Sequence, residues 1–508
     1  MSFVRSVWLL FLAGSFSKLI SLFYRVPLSY LLGAEGIGLY QMSYPAFVIA
    51  AILATGGLPM AITKYMAEYL ALGNKQAARQ LFRVGKQLLW LRGLVLAIIF
   101  YRLAPILATK VLGDPRSELP LKALAPAVFL VCPEGSLRAY FQGRQQHFII
   151  AKAQAFEQLF RVVIMLVLAF LLLPYSLEYA TAGATAGAAG GALAAIVFLR
   201  SHLKLELATK TTSAKPKWSQ AARMLQDLAW PVMFGSFIMP VMQMVDAVIV
   251  PLRLQVGGIP VREATALFGH HAGMALSLVG LPTVATRALT TALVPDIAAA
   301  LARQDHLQVS GRISQALKIT IVLAIPAAVG LFTLAEPICW VLFGAAEAAI
   351  PLQWLAFGTV GLCLMETNSA LLHAIGRGRG AVAALFIGGI VNAGINYYVC
   401  AMPALNIRGA ALGTGLGFTV AAFLTLIFLS RQVPIAVNPI AFICPLSASL
   451  LMIPAVQWAF SLSKNRGWPA AVALFLAMGT GLICYGLAGY STGMFKNCLS
   501  RTSGDKFL

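Results

Sequence analysis

Residues 7–32 read VWLLFLAGSFSKLISLFYRVPLSYLL, a run in which Lys18 and Arg25 carry the only charges. An α-helix rises 1.5 Å per residue, so about 20 apolar residues cross the roughly 30 Å hydrocarbon core of a bilayer. The run matches a signal peptide in length only, because no small-residue cleavage site follows Lys18 and Arg25; it reads as a first membrane span. The rest of the chain repeats the pattern. Runs of similar length fall near 38–62, 85–109, 121–142, 150–174, 178–200, 227–254, 264–290, 313–336, 350–373, 380–402, 408–430, 440–462 and 468–490. This predicts an all-α polytopic membrane protein with about 14 transmembrane helices. Ten-residue segments of alternating hydrophobicity, which a membrane barrel requires, do not recur.

Composition agrees. Of 508 residues, 59% are hydrophobic and 11% charged, whereas a soluble domain carries about 25% charged residues. A soluble enzyme and a membrane protein with a large aqueous domain are both excluded. The net charge of +21 sits in the short breaks between apolar runs, not on a polar surface with interleaved aromatics, so nucleic acid is not the partner. About 23 of the 38 Lys and Arg fall in the N-terminus, the even-numbered breaks and the C-terminal tail, which orients both termini to the cytoplasm of a multi-pass protein in the cytoplasmic membrane. The seven cysteines are scattered without a C-x-x-C, so neither a disulfide framework nor a metal site is indicated. Two amphipathic stretches, AEYLALGNKQAARQLFRVGKQ and AAALARQDHLQVSGRISQA, are expected to be helical connections.

The sequence also repeats itself. EGIGLY at 35–40 is echoed by EATALF at 263–268, and LPMAITKYMAEYLA around Pro59 by VPDIAAALA around Pro295. QGRQQ at 142–146 is echoed by IGRGR at 375–379, and AGATAGAAGG from Ala182 by RGAALGTGLG from Arg408. Four echoes in one order, at offsets of 226 to 236 residues, imply two homologous halves. The expected organisation is a six-helix bundle over 1–200, a basic cytoplasmic linker over 201–226, and a second six-helix bundle over 227–431. Two extra helices follow over 432–495, then a cytoplasmic tail over 496–508. Because six is even, both halves enter the membrane from one side and are parallel, pseudo-symmetric repeats, the plan of transporters that rock two bundles about a central site. A monomer is compatible with that plan.

The stretches FSKLISLFYRVPLSYLLGAEGIGLYQMSYPAF, TGGLPMAITKYMAEY and WPVMFGSFIMPVMQMVDAVIVPLRL, with ATALFG after the last, resemble the stage V sporulation protein B family. That family lies in the polysaccharide transporter branch of the multidrug/oligosaccharidyl-lipid/polysaccharide (MOP) exporter superfamily. The resemblance covers most of residues 1–430, and EGIGLYQM is its most specific piece. It implies a MATE-like, V-shaped two-bundle fold and a flippase for lipid-linked saccharide precursors of polysaccharide, peptidoglycan or spore cortex. It also implies that the last two helices line a groove for the lipid tail.

A charge at mid-bilayer costs about 2.5–3.5 kcal/mol or more, so each one needs a reason. Lys18 and Arg25, seven apart, share a helix face, and Asp246 and Arg253 repeat the spacing in the seventh run. Arg supplies a planar fork of donors that matches phosphate oxygens, so Lys18, Arg25, Arg253 and Arg287 are the candidates for an anionic headgroup. The alternative for Arg25 and Arg253 is to snorkel or to pair with Glu35, Asp246 or Glu263 at helix ends. Asp246, Glu134, Arg138, Glu157, Arg161 and Glu366 are expected to form a charge network lining a cavity. Within it, Glu134–Arg138 and Glu157–Arg161 have the i,i+4 spacing of self-neutralising pairs. Glu366 has only His373 to meet on its own helix and is a candidate proton or cation site.

The leading function is alternating-access flipping of a saccharide linked to a polyprenyl phosphate or pyrophosphate, with surrounding membrane lipids as the other partners. The competing reading is a MATE-type drug/cation antiporter, which would want acidic residues where the lead helices carry a cationic excess. The chain is not expected to be an enzyme: the odd-numbered breaks are too short and too poor in paired carboxylates. It has no phosphate loop, no cofactor and no metal site. A coupling Na+ or H+ is compatible with the buried carboxylates.

Overall fold

The computed structural model describes residues 24–203, 216–435 and 440–491. Among the described residues no strand is present, and the helices follow the apolar runs. They are α1 Arg25–Thr55, α2 Leu58–Ala71, α3 Lys75–Ile106, α4 Glu118–Gly143, α5 His147–Leu172, α6 Leu177–Ser201, α7 Trp218–Ser236, α8 Ile238–Val256 and α9 Val261–Phe268. Then come α10 Leu276–Val279, α11 Pro282–Ala302, α12 His306–Thr333, α13 Ala335–Phe343, α14 Ala349–Ala356, α15 Gly358–Ala374, α16 Gly378–Val399, α17 Ile407–Ser430, α18 Ile440–Asn465 and α19 Ala470–Ser491. Eleven described helices are long and apolar enough to cross a bilayer, or twelve if the bent segments 346–356 and 358–374 form one span. The first of the expected spans, 7–32, lies largely outside the described residues.

Several expected spans are broken where the sequence removes a hydrogen bond or a side chain. Gly33, at φ 62° and ψ −175°, interrupts α1 and separates the first expected span from the second. The run expected at 264–290 becomes α9, a π-helical turn over Gly269–Ala275, α10, and α11 beginning at Pro282. The tenth run bends by 55°. The amphipathic stretches also differ from expectation, since each contains a turn. Asn74 caps α3 by accepting from Ala77 N at 3.0 Å, and Asp305 caps α12 by accepting from Gln308 N at 2.9 Å. A short side-chain oxygen that satisfies a first-turn amide starts a new helix there.

By contacts the chain falls into two units, residues 1–252 with 260–269, and residues 253–259 with 270–508. This division places α7, most of α8 and α9 with the first unit, whereas the expected division by repeat begins the second bundle at residue 227, within α7.

The duplication is visible inside each unit. In the first, Gly183, Gly187 and Gly191 of α6 lie against α5, and a methyl on Gly187 would sit 2.7 Å from the Arg161 carbonyl oxygen. In the second, Gly409, Gly413 and Gly417 of α17 lie against the preceding helix α16, and a methyl on Gly413 would collide with the Asn396 side chain. The two glycine triplets are 226 residues apart, the offset of the fourth sequence echo. Small residues bring backbones together where the surrounding lipid offers no hydrophobic drive to pack.

The helix-to-helix turns repeat as well. Gly73 N donates to Leu70 O and Asn74 N to Tyr69 O, at 3.1 and 2.9 Å; Gln304 N donates to Leu301 O and Asp305 N to Ala300 O, both at 3.0 Å. In the second unit α19 is tied to α12 by Tyr485 Oη donating to Val322 O at 2.8 Å.

Candidate functional site

The charged residues of the first unit gather where α1, α4 and α5 meet. Arg138 on α4 is the hub. Its Nη2 lies 2.7 Å from Glu134 Oε1 one turn earlier, and it donates to Glu157 Oε2 on α5 at 2.5 Å. The expected pair Glu134–Arg138 therefore forms, but Glu157 turns across to Arg138. Arg161 instead donates to Tyr44 Oη at 2.6 Å and lies 5.3 Å from the centroid of that ring.

Tyr44 and Tyr40, one turn apart on α1, are stacked with centroids 5.7 Å apart. Tyr40 interacts with Arg161, and Tyr24 bridges Tyr40 to Arg25. The result is two neighbouring polar groups: Arg25, three tyrosines and Arg161 in one, and Glu157, Arg138 and Glu134 in the other. Glu134 is 6% exposed. The Nε–H groups of Arg138 and Arg161 are buried and have no partner among the described residues, and a buried donor left open in this way is costly.

A second cluster in the first unit escaped sequence reasoning. Arg116, in the turn before α4, donates from Nε and Nη2 to the two oxygens of Asp114 at 2.9 and 2.7 Å, and from Nη1 to Glu35. Thr265 Oγ1 donates to Asp114 Oδ2 at 2.8 Å, and Asp114 is fully buried. Burial by itself would lower the Arg116 pKa, but the hydrogen bonds and charges of Asp114 and Glu35 more than offset this and raise it. Beside this cluster α9 presses onto α1. A methyl on Gly38 would overlap the Thr265 carbonyl, and one on Gly269 the Ala34 carbonyl. The Asp114-Pro115 step was the available signal, since an Asp ahead of a Pro marks a helix start.

In the second unit Arg287 on α11 and Glu366 on α15 form a bidentate ion pair, with Nε 2.7 Å from Oε2. Glu366 thus has a cross-helix partner that its own helix did not reveal. Arg253 donates from Nε to the Tyr397 carbonyl at 2.7 Å and stacks 4.1 Å above that ring. Tyr397 O is among the last carbonyls of α16, which lack intrahelical partners, so Arg253 caps a helix end. Asn396 Nδ2 donates to Asn392 Oδ1 at 3.0 Å. Asp246 is half-buried on α8, and Lys18 lies outside the described residues. Among the described residues no group of three or more His, Cys, Asp or Glu could hold a metal ion.

A helical chain with charge neutralised inside apolar bundles is a multi-pass membrane protein, and comparison with solved structures gives its fold. The fold is shared with the lipid II flippase MurJ in an inward closed conformation, at a TM-score of 0.73 and 16% identity, over 96% of this chain and 99% of that one. Residues 3–299 match the family described as polysaccharide biosynthesis protein, and the chain belongs to that family. Among its relatives are the stage V sporulation protein B of Bacillus subtilis, 29% identical over 86% of this chain and 85% of the relative, and the lipid II flippase MurJ of the same organism, 25% identical over 98% and 97%.

Proposed function

We propose that this protein flips lipid-linked saccharide precursors across the cytoplasmic membrane by alternating access, with both termini in the cytoplasm. The observation that carries the proposal is the pair of half-buried arginines, Arg138 and Arg161, each with a buried and open Nε–H inside an apolar helix bundle. Similarity to a lipid II flippase along nearly the whole chain supports the same reading.

A polyprenyl phosphate or pyrophosphate must shed water as its headgroup enters such an interior. Charge-assisted hydrogen bonds from Arg replace that hydration. Arg25, joined to Arg161 through Tyr24 and Tyr40, is the first of the sequence candidates to meet the phosphate. Arg253 and Arg287 already hold Tyr397 O and Glu366, so each must release its partner to contribute. Arg138 bridges two carboxylates, and an incoming phosphate competes with them. A displaced Glu157 or Glu134 then becomes a site for H+ or Na+, which couples cargo to an ion gradient. The faces of Tyr40 and Tyr44 suit the apolar faces of sugar rings.

Mass spectrometry of lipids that co-purify with the protein tests the substrate class directly. Polyprenyl phosphosugars are expected, at a level reduced in Arg161→Ala. Recovery of ordinary phospholipids alone, from wild type and variant alike, would count against the reading.

A further inference from the structure

The turn after α4 and the turn after α15 have the same backbone bonds: Gln146 N to Phe141 O at 2.9 Å, and Arg377 N to Leu372 O at 2.8 Å. Their left-handed residues are Gln145 at φ 58° and Gly376 at φ 75°. The side chains have diverged. In the first unit Arg144 folds back on its own helix, donating to Tyr140 Oη at 2.6 Å and lying 5.4 Å from the ring centroid. In the second unit the sequence runs Gly376-Arg377-Gly378-Arg379-Gly380. There Arg377 and Arg379 stand with Arg431, from the end of α17, around a cavity of about 600 Å³.

No carboxylate lines this cavity, and Phe428 and Leu372 form its apolar side. Among the described residues none of the three guanidiniums has an ion-pair or side-chain hydrogen-bond partner. The glycines keep the space open: a methyl on Gly380 would meet the Phe428 ring at 3.3 Å, and one on Gly378 would strike His373. The first turn of α16 begins at Gly378 and adds its positive dipole end. Three cations that converge without a counter-charge repel one another unless an anion joins them.

We propose that this cavity binds the phosphoryl group of an anionic phospholipid headgroup. The site lies where one bilayer-crossing helix begins and another ends, which is headgroup depth. Its cationic rim beside an apolar wall suits a phosphate whose acyl chains stay in the membrane, and basic pockets between transmembrane helices take anionic lipids in this way. The inference does not depend on the transport reading. Free phosphate offers the same chemistry.

The experiment uses the full chain in neutral detergent, with fluorescent phosphatidylglycerol as one probe and inorganic phosphate as the other. The variant Arg377→Gln/Arg379→Gln/Arg431→Gln is compared with Lys75→Gln/Arg79→Gln/Arg83→Gln, which removes equal charge from α3. The cavity variant is expected to lose phosphatidylglycerol affinity about tenfold or more, and the α3 variant less than about twofold. Arg431→Gln alone, on a different helix, is expected to lose about threefold and guards against misfolding of the triple variant. Competition by inorganic phosphate in wild type, absent in the cavity variant, would identify the phosphoryl group as sufficient. Loss confined to the lipid probe would identify the headgroup as the occupant. Equal lipid binding by wild type and cavity variant, or equal loss in both triple variants, would overturn the proposal.

Discussion

The two units carry the same glycine-to-backbone packing but handle their charges differently. In the first, one arginine bridges two carboxylates on two helices, of which Glu134 is buried, and a second arginine is held by tyrosines. In the second, Arg287 and Glu366 form a single bidentate pair, and the Arg287 side chain is 49% exposed. Duplication preserved what holds helices at a fixed distance, because any added side chain at Gly187 or Gly413 meets the neighbouring helix. Charge was free to change, since a charge needs only some partner.

The largest effect is expected from Arg138→Ala, which strands Glu134 and Glu157 in the bundle. Loss of one partner from a buried ionic network costs about 3–5 kcal/mol, read as a fall in thermal unfolding temperature in detergent, together with loss of flipping. The equivalent removal in the second unit, Arg287→Ala, is expected to cost less, about 1–2 kcal/mol, because the Arg287 end of the pair is half-exposed and screened although Glu366 is not. Equal losses in the two units would break the comparison.

Next come Gly187→Leu and Gly413→Leu. Overpacking costs about 1–3 kcal/mol, and the two variants are expected to lose similar amounts. A large loss at one glycine only would mean that the halves do not share this packing. The smallest effects belong to the caps, where Asn74→Ala and Asp305→Ala are each expected to cost about 1 kcal/mol. A difference above that amount between them would sharpen where the repeat stops being symmetric.

Much of this fold is legible in the sequence, because a bilayer forces each span to announce itself as an apolar run. Helices α5, α6, α16 and α17 lie within a few residues of the runs that predict them. The breaks at Gly33 and over Gly269–Ala275 are less legible, since a glycine in an apolar run also reads as packing. The repeat was visible through echoes scattered over ten residues of offset, while in the structure the turns at Gly73 and Gln145 match Gln304 and Gly376 at 231 and the glycine triplets match at 226.

Candidate charges can be read from the sequence, but their partners cannot. The i,i+4 spacing suggested that Glu157 meets Arg161, yet the packing of α5 on α4 brings Arg138 nearer. Tyr24, Tyr40 and Tyr44 carry no charge to flag them, and Asp114, Arg116 and Thr265 come together only through the chain's fold, 151 residues separating Thr265 from Asp114.

The central claim is tested most directly by flipping in proteoliposomes, with a fluorescent polyprenyl-pyrophosphate saccharide and a membrane-impermeant quencher. Wild type is expected to expose the labelled lipid to the opposite leaflet, and Arg161→Ala, reconstituted to the same level and folded by thermal unfolding, to slow this by about a hundredfold. Movement at the wild-type rate in Arg161→Ala, or none by wild type under an imposed ion gradient or membrane potential, would contradict the account.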